Sequence, residues 1–322
     1  MKKRPINVTP ESSEWQSVGR EPRVYPAKEP SDLLGVHGEI MAAGLEPGER
    51  LRYMLYSPIW DGEDAPFGIK AVPASHGVAV TDTAILISAN RHDGTTPTFR
   101  RIPFDHILCV QLGTALLLGW FSVRYAEDVG VPATTSLLFT ATGVEYFSAA
   151  VREYRMARMR QSGGHHVDFV SRWEEFWKQQ PADIVNRLKP LLCADENHVS
   201  SLHCEPKWSS VRWLWRRKPV CVVEESLLVA TGAGLLWADR KREFRPNMYS
   251  FGINVSCIAP EDVVEASIRS KAADGFHVPC FDLLAKKVET PMAFEIPFDT
   301  AFEQEAKNIA ANVCGVGRCV KR

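Results

Sequence analysis

The sequence predicts a mainly β protein with some α-helix, built as two tandem copies of one antiparallel unit that ends in a helix. Three observations predict this class. Runs rich in β-branched and aromatic residues, separated by turn residues, fill most of each half. Each half then closes with a helical pattern, and the landmarks of the first half return in the same order in the second.

Composition supports two modest domains and limits how the protein can bind. The chain has 322 residues, of which 45% are hydrophobic and 24% charged, so each half can bury a core of its own. The net charge of -1 gives no overall field that would hold the protein to nucleic acid or to an anionic membrane. Any electrostatic binding must therefore come from a local patch.

Cysteine usage and the first residues predict a reduced, cytoplasmic protein, with peripheral membrane association left open. The eight cysteines include no C-x-x-C pair, and the start "MKKRPINVTPESSEWQ" lacks the apolar core of a signal peptide. The run 107–123 is at the short limit for a membrane span and is interrupted by glycine and polar residues. We expect two buried strands there, with a break near Gly113 and Thr114.

The sequence of the first half predicts an N-terminal arm, several strands and a helix. Residues 1–33 are polar and aperiodic and predict a flexible N-terminal arm. Strand patterns cover 45–60, 76–90 with a hairpin turn at Thr81 and Asp82, 101–112, and the two runs that follow. A helix starting near Val144 is predicted from apolar residues on one face: Val144, Phe147, Val151 and Tyr154.

A helical linker is predicted between the halves. The run "VDFVSRWEEFWKQQ" (167–180) places an aromatic stripe on one helical face until Pro181 ends it. We expect this stripe to pack between the halves rather than to serve as an exposed docking site. The predicted organisation is an arm (1–33), a first unit (34–162), a linker (163–189) and a second unit (190–322).

The second half repeats the first with an offset that grows from 147 to 156 residues. Glu49 corresponds to Glu196, "VTDTAILISA" (80–89) to "ATGAGLLWAD" (230–239), and "IPFDHIL" (102–108) to "IAPEDVV" (258–264). In the closing helices, Phe147, Val151 and Tyr154 align with Phe302, Ala306 and Ile309. We expect the second helix to start near Asp299, and Phe302 to be buried like Phe147.

These motifs resemble the bacterial pleckstrin-homology-like, GRAM-related domains. The resemblance rests on the L-x-x-G-E strand start, the P-x-W strand end, the V-T-D hairpin, the "I-P-F-x-x-I" strand and the closing helix, and it covers roughly 38–160 and 190–314. It implies two barrels of about seven antiparallel strands, each plugged at one end by its C-terminal helix. The second copy departs from the hairpin pattern because Gly232 replaces Asp82.

No motif of the chain predicts a catalytic residue, a cofactor or a metal. The sequence has no G-x-S-x-G elbow, phosphate-binding loop or H-E-x-x-H pair. The residues Cys193, His198, His203 and Cys204 fall on a predicted strand, where 198 and 203 face opposite sides. We therefore interpret them as structural, and His165 and His166 as an exposed loop pair.

The most informative cluster is cationic and lies in the second half. The segment 207–219, "KWSSVRWLWRRKP", holds five cations, three tryptophans and no acid, and 239–246 adds further cations. The resemblance places these two loops side by side at the open end of the second barrel. The basic rim predicted there comprises Lys207, Arg212, Arg216, Arg217, Lys218, Arg240, Lys241, Arg242 and Arg245, with Trp213 and Trp215 as membrane-interface candidates.

Three functions remain open at this point. The leading one is a non-catalytic adaptor that binds a protein partner or an anionic membrane surface, with no nucleic acid and an undetermined oligomeric state. The second is a specific binder of anionic lipid or phosphate head groups through the basic rim. The third is an enzyme with a site between the halves. A structural alternative also stands, in which the tryptophans lie in a strand and the arginines bind acids of the linker or of the first half.

Overall fold

Strands predominate in the computed structural model of the chain, which confirms the mainly β prediction. The structure describes residues 23–58, 74–91, 95–115, 118–127, 131–161, 173–194, 196–213, 216–241, 252–273, 276–287 and 290–319. The described strands form four sheets in which every pairing is antiparallel.

The first sheet contains five strands in chain order: β1 (Tyr25–Ala27), β2 (Leu51–Ser57), β3 (Ser75–Thr81), β4 (Ala84–Asn90) and β5 (Thr98–Pro103). Helix α1 (His37–Gly44) packs on one face of it and buries His37 and Met41. The prediction of a loose arm is wrong for its last ten residues, because Val24 is buried and Tyr25 pairs with Tyr56. Residues 1–22 lie outside the described part of the chain.

The second sheet is shared by the two halves. Its seven strands follow the order β8 (Pro132–Thr140), β7 (Leu118–Ala126), β6 (Ile107–Ala115), β14 (Gly252–Ile258), β13 (Gly234–Lys241), β12 (Ser226–Thr231) and β9 (His198–Cys204). The halves meet where β6 pairs with β14, with Leu112 opposite Val255. Backbone hydrogen bonding therefore crosses the predicted domain boundaries, which stay a prediction.

The remaining strands belong to the second half. Among the described strands, β10 (Lys207–Trp213) and β11 (Arg216–Val223) pair only with each other, and β15 (Val263–Ala273), β16 (Phe276–Lys287) and β17 (Thr290–Pro297) form the last sheet. The helices are α2 (Val144–Gln161), α3 (Trp173–Lys178), α4 (Ala182–Leu188) and α5 (Glu303–Cys319). Apart from β1 in the first half and the inserted β10 and β11 in the second, each half has four strands, then three strands and then a helix.

The described strands form open sheets, so the prediction of a closed barrel in each half is not met. A 3-10 turn at Phe104–His106 redirects the chain after β5. β5 pairs with β4, whereas β6 pairs with β7 and with β14 of the other half. Because β6 uses its second edge on β14, the strands of the first half are divided between two sheets.

The apolar run 107–123 forms two strands, as predicted, and its two glycines are packing sites. A Cβ added at Gly113 would lie 2.0 Å from the Trp120 ring, and one added at Gly119 would lie 2.3 Å from the Phe139 ring. The aromatic rings cover the glycines across the ladder, so the strand continues through Gly113 and Thr114. No helix in the described ranges is long and apolar enough to cross a membrane.

The helical predictions are confirmed in the first half and corrected in the second. Phe147, Val151 and Tyr154 of α2 are buried, and Phe147 stacks on Phe139 with ring centroids 4.0 Å apart. In the second half Ile309 is buried, but Phe302 is only partly buried. The reason is that Phe302 belongs to a 3-10 turn and α5 begins at Glu303, so the ring packs at the edge of the core.

The linker packs as predicted where the structure describes it. The helix covers 173–178 rather than the whole predicted stretch, of which 167–172 lie outside the described residues. Trp173 stacks on Trp177 at 5.0 Å between ring centroids, and Trp173 and Phe176 both contact the ring of His198 on β9. The aromatic stripe therefore joins the core between the halves.

Candidate functional site

The segment predicted as a cationic loop is a β-hairpin. Lys207, Arg212 and Trp213 lie on β10, and Arg216, Arg217 and Lys218 lie on β11, while Trp215, Arg242 and Arg245 fall outside the described residues. The loop prediction was wrong because Val211 and the tryptophans of this segment are residues that favour a strand. This agrees with the alternative in which the segment is a strand rather than a loop.

The register of the hairpin brings cations together. Arg212 lies directly opposite Arg217, Trp213 opposite Arg216, and Val211 opposite Lys218. Like charges at directly opposed ladder positions disfavour the pairing of two antiparallel strands. At the other end of the hairpin Trp208 is 43% exposed. The hairpin thus combines opposed cations with an exposed indole.

Arg240 occupies a different electrostatic setting. On β13 its guanidinium pairs with Glu225 and with Asp183 of the linker helix α4, the latter at 2.5 Å between Nη2 and Oδ2. Burial alone would lower the pKa of Arg240, but the two carboxylates raise it above its usual value. Lys241 follows at the end of β13. Arg240 is held by a linker acid, and its membership in the basic rim stays a prediction.

Sequence reasoning missed a buried ionic centre between the halves. Arg155 of α2 is 3% exposed and Glu196 is 0% exposed, and the two side chains form a bidentate pair. Arg155 Nη1 donates to Glu196 Oε2 at 2.9 Å and to the Leu191 carbonyl oxygen at 2.6 Å. The Thr231 hydroxyl and the Cys193 amide also donate to the carboxylate. The Glu196 carboxylate is thereby fully hydrogen bonded.

The first half contains a matching centre at the corresponding positions. Arg101 donates from Nη1 and Nη2 to the two Glu49 oxygens at 2.8 and 3.0 Å, and Thr81 Oγ1 donates to Glu49 Oε1 at 2.5 Å. Burial would raise the pKa of Glu49, but these hydrogen bonds lower it to about 2. The repeat pairs Glu49 with Glu196 and Thr81 with Thr231, which is the sequence signal for both centres.

A second ionic cluster joins α2 to the second half. Arg158 pairs with Glu261 and lies 3.5 Å from Asp262, which also pairs with Lys287 of β16. Burial raises the pKa of Asp262 to about 6, although the neighbouring Lys287 and Arg158 oppose the shift. One helix of the first half therefore supplies two arginines to acids of the second half.

Buried histidines of the first sheet have structural roles. His37 of α1 lies between the hydroxyls of Ser88 and Ser75, at 2.7 and 2.9 Å from its ring nitrogens, and all three side chains are fully buried. Burial lowers the pKa of His76 to about 3. Among the described residues, no group of three or more His, Cys, Asp or Glu side chains is arranged to hold a metal ion.

Comparison of the chain with protein-family models, with curated proteins and with solved structures gives no match.

Proposed function

We propose that the protein is a non-catalytic interaction module of two pleckstrin-homology-like units, and that the hairpin β10–β11 is its contact with an anionic partner protein. The proposal is supported by the order of elements, because each half has strands followed by a closing helix, while the described strands form open sheets rather than the implied barrels. The hairpin is inserted between the first two sheet strands of the second half and pairs with no other strand of the described chain.

The opposed cations of the hairpin carry the proposal. Placing Arg212 opposite Arg217 costs folding free energy that an anionic partner would return. Sequences that specify a fold usually avoid such local conflicts except at functional sites. The five cations of 207–218 have no acid within their own segment, so compensation must come from elsewhere.

A second candidate partner is an anionic membrane surface, and a specific observation favours it. Trp208 is exposed on the same hairpin as the cations, and tryptophan prefers the membrane interface. Each cation near an anionic leaflet contributes on the order of 1 kcal/mol. This candidate differs from the first only in the surface that supplies the negative charge.

Two probes presented to one set of variants test both candidates. The probes are a polyglutamate peptide and vesicles of phosphatidylcholine with or without phosphatidylserine. The test variant carries Arg216→Glu, Arg217→Glu and Lys218→Glu. The matched control carries Lys28→Glu, Arg160→Glu and Lys178→Glu, which changes the net charge equally at exposed positions outside the hairpin.

We expect the test variant to lose binding and the control to keep it, and added salt to weaken the wild type because the contacts are screened over about 8–10 Å. Binding to the peptide alone supports a protein partner, and binding to anionic vesicles supports a membrane. If the test variant binds both probes as well as the wild type, or if the wild type binds neither, the hairpin is not the anionic contact.

A further inference from the structure

A cavity of about 260 Å³ lies at the junction of the two halves. Its walls come from α2 and β6 of the first half, from the linker helix α4 and from β14 of the second half. Leu112, Ile253 and Val255 form an apolar floor on the shared sheet. Since one water occupies about 30 Å³ of liquid, the cavity has room for roughly nine waters or one small organic molecule.

Hydrogen-bond donors from three elements line this cavity. Arg152 and Ser148 lie one turn apart on α2, Arg187 lies on α4, and Thr114 lies on β6. Ser148 and Thr114 are buried, and both arginines are partly buried. Such a set of fixed donors over an apolar floor is typical of a small-molecule site.

The two arginines are not neutralised within the described part of the chain. Neither forms an ion pair there, and Arg152 Nη1 donates a long hydrogen bond of 3.5 Å to the Pro190 carbonyl oxygen. Asp183, the acid nearest to Arg187 on α4, is held by Arg240. Glu145 also lines the cavity, so these three charged groups leave a net charge of +1. Partial burial lowers the pKa of Arg187, although the charge of Asp183 opposes the shift.

We propose that this cavity binds a small, soluble molecule bearing a phosphoryl group, held by Arg152 and Arg187 and by the Ser148 and Thr114 hydroxyls. The planar guanidinium fork matches the oxygen geometry of phosphate and forms paired, charge-assisted hydrogen bonds. The Glu145 carboxylate can accept a hydrogen bond from a hydroxyl group of the same ligand. Two helices and a sheet form the walls of the cavity, and we propose a free molecule rather than a lipid head group as the source of the phosphoryl group.

Such a ligand would contact both halves and the linker at once. Since it binds only the folded arrangement, it would stabilise the protein by mass action. A site of this kind is independent of the hairpin β10–β11, and either proposal can fail without the other.

Calorimetric titration and thermal unfolding of the full chain test the site. The probes are pyrophosphate and glycerol 3-phosphate, with succinate as a carboxylate of similar size and vesicles containing phosphatidic acid as the lipid source. The variants are Arg152→Gln, Arg187→Gln and Thr114→Val, which removes a donor at nearly constant shape. Arg160→Gln is the matched control, because Arg160 is exposed on the same helix α2.

We expect saturable binding of at least one soluble phosphoryl probe, with a matching rise in Tm. Arg152→Gln and Arg187→Gln should weaken it at least tenfold, Thr114→Val should weaken it less, and Arg160→Gln should leave it unchanged. If an arginine variant fails to fold, the loss of affinity in Thr114→Val decides. Absence of saturable binding, equal affinity in the folded cavity variants, stronger binding of succinate, or binding to the vesicles alone would each overturn the proposal.

Discussion

The two halves use the same glutamate and threonine positions but different arginines. In the first half Arg101 comes from β5 of the sheet whose strand β2 follows Glu49, and it is 20% exposed, beside Glu49 at 3%. In the second half the position that the repeat aligns with Arg101 is Cys257, and the charge comes from Arg155 of the first-half helix. A local, partly hydrated contact has been replaced by a buried contact between the halves.

This difference shows how a repeated motif can become an interface. A carboxylate buried without a cation is costly, so loss of the local arginine must be compensated from outside. Arg155 provides this compensation, and it also donates to Leu191 at the end of the linker. Folding of the second-half centre therefore requires α2 in place, whereas the Glu49 centre is complete within its own sheet.

The largest effect should separate the two centres directly. We expect Glu196→Gln to lower the free energy of unfolding by about 3–5 kcal/mol, because it leaves Arg155 as an uncompensated buried charge. Glu49→Gln should cost about 1–2 kcal/mol, since water reaches Arg101. Urea unfolding of both variants measures this, and an equal or larger loss in Glu49→Gln would contradict the comparison.

Truncation of the two aligned phenylalanines extends the comparison to the helices. We expect Phe147→Ala to cost about 3–5 kcal/mol, because the ring is fully buried and stacked on Phe139. Phe302→Ala should cost about 1–2 kcal/mol, since its ring is already partly hydrated in the folded state. If chemical denaturation shows equal losses in the free energy of unfolding for the two variants, the partial exposure of Phe302 does not reduce its contribution to stability.

The halves should also respond oppositely to pH. Unfolded Glu49 takes up a proton near pH 4.5, but folded Glu49 takes one up only near pH 2. Its stabilising contribution to the free energy of unfolding is therefore present above pH 4.5 and is lost as the pH falls from 4.5 to 2. Folded Asp262 is protonated below about pH 6, but unfolded Asp262 is protonated only below pH 3.8. Its protonation therefore stabilises the folded state at low pH, and this stabilisation is lost as the pH rises from 3.8 to 6.

Thermal unfolding across pH 2–7 measures both contributions as differences from the wild type. Glu49→Gln should flatten the loss of Tm at the acid end, and Asp262→Asn should flatten the decline towards pH 6. Parallel Tm profiles for wild type and both variants would rule out these two carboxyls as sources of the pH dependence.

The smallest effect is expected at Arg240, which sharpens the contrast with Arg155. Arg240→Gln should change the free energy of unfolding by less than about 1 kcal/mol, because this ion pair is partly exposed. The urea midpoint of the Arg240→Gln variant should also depend less on salt concentration than the wild-type midpoint does. A loss comparable to that of Glu196→Gln would mean that the linker acid Asp183 anchors the second half as strongly as Arg155 does.

Local sequence patterns predicted the elements that local interactions determine. The β3–β4 hairpin and α2 follow from alternation and from a 3.6-residue stripe, and both are confirmed. Helix α1 was missed because "HGEIMAAG" carries only two apolar anchors on a short helix, and its His37 is held by sheet residues distant in sequence. The hairpin β10–β11 was misread because its charge masked its strand alternation.

The features that define the centre of the molecule depend on long-range partners. Arg155 and Glu196 are 41 residues apart, and Gln111 bonds to Ser256 across 145 residues. The sequence of one half alone does not indicate that its side chain will contact a partner in the other half. The cationic segment was found from composition, whereas the cavity lined by Arg152 and Arg187 was not, because residues from α2, α4, β6 and β14 form it only in the folded chain.

The pairing of β6 with β14 has a consequence for fragments of the chain. If the protein were cut in the linker, each piece would present a sheet edge whose amide and carbonyl groups had lost their partners. Such an edge is a template for strand addition, so a fragment ending at α2 would tend to pair with another copy of itself or to aggregate. Mixing the two fragments should restore solubility, because each supplies the strand that completes the other.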